Sequence, residues 1–263
     1  MFDVLNEYEI SNRLQKKNLN YDVIYKKSTD STNTDAKNSN IKNNLLIVAE
    51  KQTAGKGRYG RSFYSEAGGG IYFTLKINQI NNIDLHIGDI TFFPLIAAIS
   101  VSRAVSSLCG IELFIKWPND LLYRANSGYK KLCGILTEAS LSAESVSYVI
   151  AGIGLNINDD ITDFPDDIKN IASSLKIISG KKYGRADILC EIVDNFTQLL
   201  YIPRNQIIGE YKKILLLDIE ISFAQDGKIF KGKAVGINEN GNLIAKLENG
   251  EITTIQSGEI NFI

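Results

Sequence analysis

The stretch Leu45–Ile77, LLIVAEKQTAGKGRYGRSFYSEAGGGIYFTLKI, is the one whose reading separates two fold classes. Gly55, Gly57 and Gly60 stand at the spacing of a dinucleotide-binding fingerprint, and the apolar run Leu45–Ala49 supplies the strand that such a fingerprint follows. The other conditions fail. After the glycines the chain runs through polar and glycine positions into a second, alternating strand, Gly70–Ile77, and the region around Ile80–Asn82 has no carboxylate. A Walker A loop fails as well, because no G-K-[ST] stands at the required spacing. What remains is a long loop between two strands.

In such a loop the glycines free backbone N–H groups to approach a ligand, while Lys56, Arg58 and Arg61 supply charge. Arginine presents a planar donor fork, so two of them converging with a lysine suit a di-anionic ligand. Read alone, the segment is better described as a solvated basic loop.

Outward from the loop, residues 4–17 place Leu5, Tyr8, Ile10 and Leu14 near helical spacing, and Tyr21–Lys27 reads as a strand entering the polar cluster STDSTNTD. Residues 91–109 carry a wide apolar helical face that Gly110 terminates. Four strand-like runs follow, Glu112–Lys116, Leu121–Tyr123, Lys131–Glu138 and Val146–Ile153, and Ala186–Tyr201 returns to helical spacing as a second layer over the sheet. Beyond Leu217 the texture changes to short alternating runs separated by AQDGK, NENGN and ENGE, each a hairpin signal with glycine where positive φ is needed. A boundary near Leu215–Asp218 therefore separates an α+β domain, residues 1–216, from a small β-barrel, residues 217–263.

Composition narrows the function classes. With 44% hydrophobic and 22% charged residues in a chain of 263, the protein is neither disordered nor fibrous. A formal net charge of -1 gives no overall attraction to nucleic acid or anionic membrane, so any anion site is local. The N-terminus has neither a basic leader nor an apolar block of secretory type, and the run Phe92–Ala104, broken by Pro94 and Arg103, falls short of the roughly 18–20 residues of a membrane span. Cys109, Cys133 and Cys190 are odd in number and far apart, which argues against both a disulfide framework and a zinc site and fits a reduced cytoplasm. The sole histidine, His86, reads as a surface or capping residue, which removes Ser-His and Cys-His mechanisms.

Three further blocks stand out. In KWPND, Lys116–Asp120, the only tryptophan precedes a proline and an Asn-Asp turn follows, placing a ring, an amide and a carboxylate at one corner. Lys131 enters the apolar strand KLCGIL, either snorkelling or directed at a buried anion. Asn156 lies in AGIGLNIN, Ala151–Asn158, a glycine-bearing apolar strand whose bland reading is a bulge and a turn.

In order, D-S-T-N at Asp30–Asn33, Gln52 with G-K-G-R-Y-G-R, K-W-P-N-D, K-L-C-G-I-L, G-I-G-L-N, A-S-S-L at Ala172–Leu175 and S-G-E-I at Ser257–Ile260 resemble the biotin protein ligase family from about Tyr21 onward. The resemblance implies a central mixed sheet with helices on one face, class II synthetase-like, followed by an SH3-like β-barrel. It implies an enzyme that joins biotin to ATP with Mg²⁺, releases pyrophosphate, and passes biotin from biotinyl-5'-AMP to one lysine of the biotin carboxyl carrier protein of acetyl-CoA carboxylase. Biotin contacts would fall on Ser31, Thr32, Asn33, Gln52, Lys56, Gly57, Arg58, Lys131 and Gly134. The nucleotide would meet Arg58, Arg61, Lys116, Asn119, Lys131 and Asn156, with Asp120 near the metal. Lys131 and Arg58 would carry catalysis, the former as an electrostatic stabiliser rather than a base.

Three positions depart from the family's pattern. Lys56 replaces an arginine and loses its bidentate fork, and Tyr59 stands where another arginine is common. The arginine often found just after G-E-I is missing, so adenine packing is expected to rely on other side chains. About twenty residues precede the first strand, fewer than a DNA-binding winged helix needs, so no DNA-binding or repressor role is expected. The resemblance also implies a homodimer through the central sheet. The alternative enzyme is a lipoate or octanoate protein ligase. An RNA-binding module using the basic loop and the barrel is a weaker alternative, because the C-terminal strands lack interleaved cations and stacking aromatics.

Overall fold

The structure, a computed structural model, describes residues 5–78, 87–142, 145–225 and 227–263. His86 and the region Ile80–Asn82 lie outside the described residues.

Seven strands form the main sheet: β1 (Asp22–Lys26), β2 (Leu45–Ala49), β3 (Ile71–Ile77), β4 (Phe114–Lys116), β5 (Asp120–Ala125), β6 (Gly128–Ser142) and β7 (Ser145–Leu155). Their spatial order is β1-β2-β3-β7-β6-β5-β4. The sheet is mixed, since β1 and β2 pair in parallel and the other neighbours antiparallel. The glycine loop thus joins two adjacent antiparallel strands, with Val48 opposite Phe73.

Alternation along these strands separates two faces. Leu46, Val48, Phe73, Leu75, Ala151 and Ile153 point into the main core. That core is covered by α1 (Glu7–Lys16), α3 (Phe93–Cys109), α5 (Arg185–Leu199) and α6 (Arg204–Ile214). In α1, Asn6 Oδ1 accepts from Glu9 N–H at 2.8 Å, and Ile10 and Leu14 are buried; burial of each such side chain contributes about 1.5–3 kcal/mol. The short α2 (Thr32–Asn38) lies on the opposite face, where Ala36 packs on Leu45, Ile47 and Ile150. The helices α2, α4 (Leu175–Ser179) and α6 are not legible in the apolar periodicity of the sequence.

The helical stretch Ile90–Cys109 corrects one expectation. It runs for 20 residues with a hydropathy of 1.6, long and apolar enough by those measures to cross a membrane, where the run read from sequence was shorter. Pro94 does not interrupt it, because proline at the first turn loses no helical hydrogen bond. Two thirds of it is buried, as befits the central core helix, and Gly110 ends it in the left-handed conformation at φ 67°.

The second sheet comprises β8 (Glu220–Gln225), β9 (Lys228–Ile237), β10 (Leu243–Leu247), β11 (Ile252–Ile255) and β12 (Ile260–Phe262), ordered β11-β10-β9-β8-β12 and antiparallel throughout. Gly227, Gly241 and Gly250 have φ of 74°, 80° and 86° at its turns, as the hairpin signals require. The barrel is docked on the main sheet. The indole N–H of Trp117 donates to the Gly241 carbonyl at 3.0 Å, and just before the barrel Leu216 N–H ties the connecting segment to the Ile115 carbonyl at 2.9 Å.

Candidate active site

The glycine loop folds as a tight hairpin over the sheet face opposite the main core. Gly57 N–H donates to the Arg61 carbonyl at 2.7 Å and Phe63 N–H to the Gly55 carbonyl at 2.9 Å. Gly57 thus spends its N–H inside the loop instead of offering it to a ligand, contrary to the reading from sequence. Gly55 is needed for close approach, because a Cβ there would lie 2.7 Å from the Phe63 carbonyl oxygen. What the loop presents to the pocket is side chains: Lys56, Arg58, Tyr59, Arg61 and Phe63.

The floor beneath the loop is bare backbone. Gly134 on β6 pairs with Gly154 on β7, and Gly152 lies two residues along on the same face. A Cβ on Gly154 would come within 2.4 Å of the Phe63 ring, and one on Gly152 within 2.0 Å of Asn33 Oδ1. The glycines therefore make room for the aromatic ring and the amide. Gly134 lines the pocket as expected; Gly152, Gly154 and Phe63 join it without having been singled out.

At one end of this floor lies a buried polar cluster. Ser31 occupies the N-cap position of α2 without its side chain capping, and Ser31, Thr32 and Asn33 are all buried. Gln52 Oε1 accepts from Thr32 N–H at 2.9 Å and from its hydroxyl at 3.1 Å, while Gln52 Nε2 donates to Ser65 Oγ at 3.0 Å. Asn33 Nδ2 donates to Glu138 at 3.1 Å, and Asn33 Oδ1 accepts from the Thr74 hydroxyl at 2.6 Å. Thr74 is a fully buried hydroxyl in the middle of apolar β3, and that incongruity is the signal by which the sequence could have revealed it.

Charge gathers at the other end. Lys131 Nζ lies 2.8 Å from Asp120 Oδ1 and 5.9 Å from the centre of the Phe63 ring. Of the two readings of Lys131, the second is nearer, although the partner is a carboxylate of the protein. Asn119 Nδ2 donates to Asp120 at 3.1 Å and to the Ile135 carbonyl at 3.2 Å, which fixes the KWPND corner, whose Trp117–Pro118 bond is cis. Arg61 pairs with Glu259 of the barrel at 2.5 Å, and Lys56 donates to Thr34 at 3.1 Å. Lys116 lies over the Phe262 ring, and burial lowers its pKa. The lining holds five cations, Lys56, Arg58, Arg61, Lys116 and Lys131, against two carboxylates, Asp120 and Glu259, a formal charge of +3.

One expected residue falls outside the pocket, and another is in place but engaged by a protein partner. Asn156 does not line the pocket; it is buried, and its Nδ2 donates to the Ser173 carbonyl at 3.0 Å. It stands one layer behind, since Ser173 N–H in turn donates to the Lys131 carbonyl at 2.9 Å. Asp120 is in place, but its carboxylate is engaged by Lys131, and the described residues hold no group of three His, Cys, Asp or Glu fit to bind a metal.

Residues 23–156 match the biotin/lipoate A/B protein ligase family, and residues 216–262 match the biotin protein ligase C-terminal domain. The chain is 34% identical to the bifunctional ligase/repressor BirA of Bacillus spizizenii over 97% of its own length and 78% of that protein. It is 27% identical to the biotin–[acetyl-CoA-carboxylase] ligase of Mycobacterium tuberculosis, over 88% of this chain and 85% of the other. Among solved structures, the biotin protein ligase of Aquifex aeolicus in complex with biotin and ATP superposes with a TM-score of 0.73 at 31% identity, covering 92% of this chain and 98% of that one.

Proposed function

The chain belongs to the biotin/lipoate A/B protein ligase family and acts as a biotin protein ligase, and from that premise we propose how its pocket works. The observation that carries the reading is a pocket over a glycine floor whose lining has a formal charge of +3, with a buried neutral polar cluster at one end and Arg58, Arg61, Lys116 and Lys131 toward the other. The cluster Ser31, Thr32, Asn33 and Gln52 suits the ureido head of biotin, whose donors and acceptors need partners once buried. The basic end suits the biotin carboxylate together with the phosphates of ATP.

In the first step a carboxylate oxygen of biotin attacks the α-phosphorus, the bond to the bridging β-phosphate oxygen breaks, and pyrophosphate leaves. Lys131, Arg58 and Lys116 face the charge that develops there. Asp120 holds the Lys131 ammonium in position, so we assign it a positioning role rather than that of a metal ligand. Among the described residues no three His, Cys, Asp or Glu gather into a metal cage, so a Mg²⁺ would enter this pocket with the triphosphate. In the second step the neutral amine of a lysine on the biotin carboxyl carrier protein attacks the acyl carbon, AMP leaves, and the amine proton is released. The hairpin over the pocket excludes water from the mixed anhydride.

We also propose that α1 is not an operator-reading helix: it is committed to the core through Ile10 and Leu14, and its first turn carries Glu7 and Glu9. A gel shift with operator DNA is expected to show no complex.

Pyrophosphate exchange with ATP and Mg²⁺ tests the central claim. Exchange is expected with biotin and not with lipoate or octanoate, followed by labelling of an isolated carrier domain. Exchange with lipoate alone would place the activity on the other branch of the family.

A further inference from the structure

The cations around the pocket are held in different ways. Lys131 and Arg61 each face a carboxylate, Asp120 at 2.8 Å and Glu259 at 2.5 Å. Arg58 is held by neutral groups: Nη1 donates to Asn119 Oδ1 at 3.4 Å, Nη2 donates to the Tyr59 hydroxyl at 3.3 Å, and its guanidinium carbon lies 5.1 Å from the centre of the Tyr59 ring. A neutral partner orients a cation without cancelling its charge. Arg58 therefore keeps its field for a ligand.

Tyr59 takes an unfavourable backbone conformation to do this. Its φ and ψ are 55° and 37°, the left-handed region that favours glycine, and Gly60 follows at φ 74°. Burial does not explain a large side chain there, because Tyr59 is 65% exposed. Its contacts with Arg58 do explain it: a strained residue at a pocket rim persists where its side chain holds something in place.

We propose that Tyr59 is a positioning residue that aims the Arg58 guanidinium into the pocket while leaving its charge available, and so retains the anionic intermediate. The retention part rests on the adenylating function proposed above; the aiming of Arg58 does not. Tyr59→Gly separates side chain from backbone, because glycine adopts the same φ without strain. Its Tm is expected to equal or exceed that of the parent. Pyrophosphate binding, measured by calorimetry without turnover, is expected to weaken by about tenfold, the loss of one oriented charge-assisted contact. In single turnover, biotinyl-adenylate is expected to escape about tenfold faster, with Tyr59→Phe, which keeps the ring over Arg58, restoring most of both properties. Unchanged pyrophosphate binding in Tyr59→Gly would overturn the proposal, as would losses in step with a fall in Tm. A parent enzyme whose pyrophosphate binding depends on Tyr59 but which fails in biotin-dependent exchange would count against the proposed function and leave the aiming of Arg58 standing.

Discussion

Lys131 reaches the pocket because of one extra residue. Gly134 faces the site, so strict alternation would turn Lys131, three positions earlier, toward the core. The register between β5 and β6 shifts so that Cys133 pairs with Leu121 but Lys131 pairs with Leu122; this bulge returns Lys131 to the site face. The sequence marks the lysine and not the bulge. Lys131→Ala is expected to lower biotin-dependent pyrophosphate exchange by about 100-fold or more while moving Tm by no more than about 3 °C, because the change deletes charge and not core volume; near-normal exchange would remove Lys131 from the chemistry. Asp159 is the opposite case, unnoticed in the sequence. It is buried, its Oδ2 has no hydrogen-bond partner, and burial pushes its carboxyl up to about 6. Since the folded value lies above the ordinary one of 3.8, the native state holds a proton that the unfolded chain has released, and stability falls as pH rises from about 4 to about 6. Asp159→Asn is expected to raise stability above pH 6 by up to about 3 kcal/mol, with the gain fading toward pH 4; chemical denaturation at several pH values reads it out.

At the scale of elements, the strand-loop-strand reading of residues 45–77 holds, with β2 at Leu45–Ala49 as expected and β3 one residue shorter than its apolar run. The interior of the loop was less legible, because its own backbone consumes the Gly57 N–H. The helix α2 escaped notice because TNTDAKN has no apolar stripe and buries only Thr32, Asn33 and Ala36. Two substitutions probe the elements around the pocket. Gly154→Ala places a methyl 2.4 Å from the Phe63 ring and must displace it, so biotin affinity is expected to fall about tenfold or more in calorimetry with the fold retained. Arg58→Gly removes the cation that ties the loop to Asn119, and the adenylate is expected to leak and label lysines indiscriminately; labelling still confined to the carrier would count against loop closure as the retaining device.

For the whole molecule, the boundary near residues 215–218 marks a change of texture more than a break in packing. One hydrophobic cluster runs from Leu5 and Ile10 through α3 and α5 into Ile221, Phe223, Leu243 and Ile260 of the barrel. The pocket is itself shared, since Glu259 meets Arg61 and Phe262 lies against Lys116. We expect a single calorimetric unfolding transition whose van't Hoff and calorimetric enthalpies agree; two resolved transitions would mean the barrel unfolds by itself.

The sequence by itself determined the strands, the main helices, the barrel turns and most of the lining. Apolar periodicity and glycine spacing are local properties, and the short motifs that carry the chemistry stay contiguous in the chain. Tertiary structure alone decided which groups face one another: Asp120 with Lys131, Glu259 with Arg61, Thr74 with Asn33, and Phe63 over Gly154. Except for Asp120 and Lys131, which lie on neighbouring strands, these contacts join residues far apart in the chain. They depend on strand register, a one-residue bulge and the docking of the barrel, none of which leaves a local signature in composition or spacing.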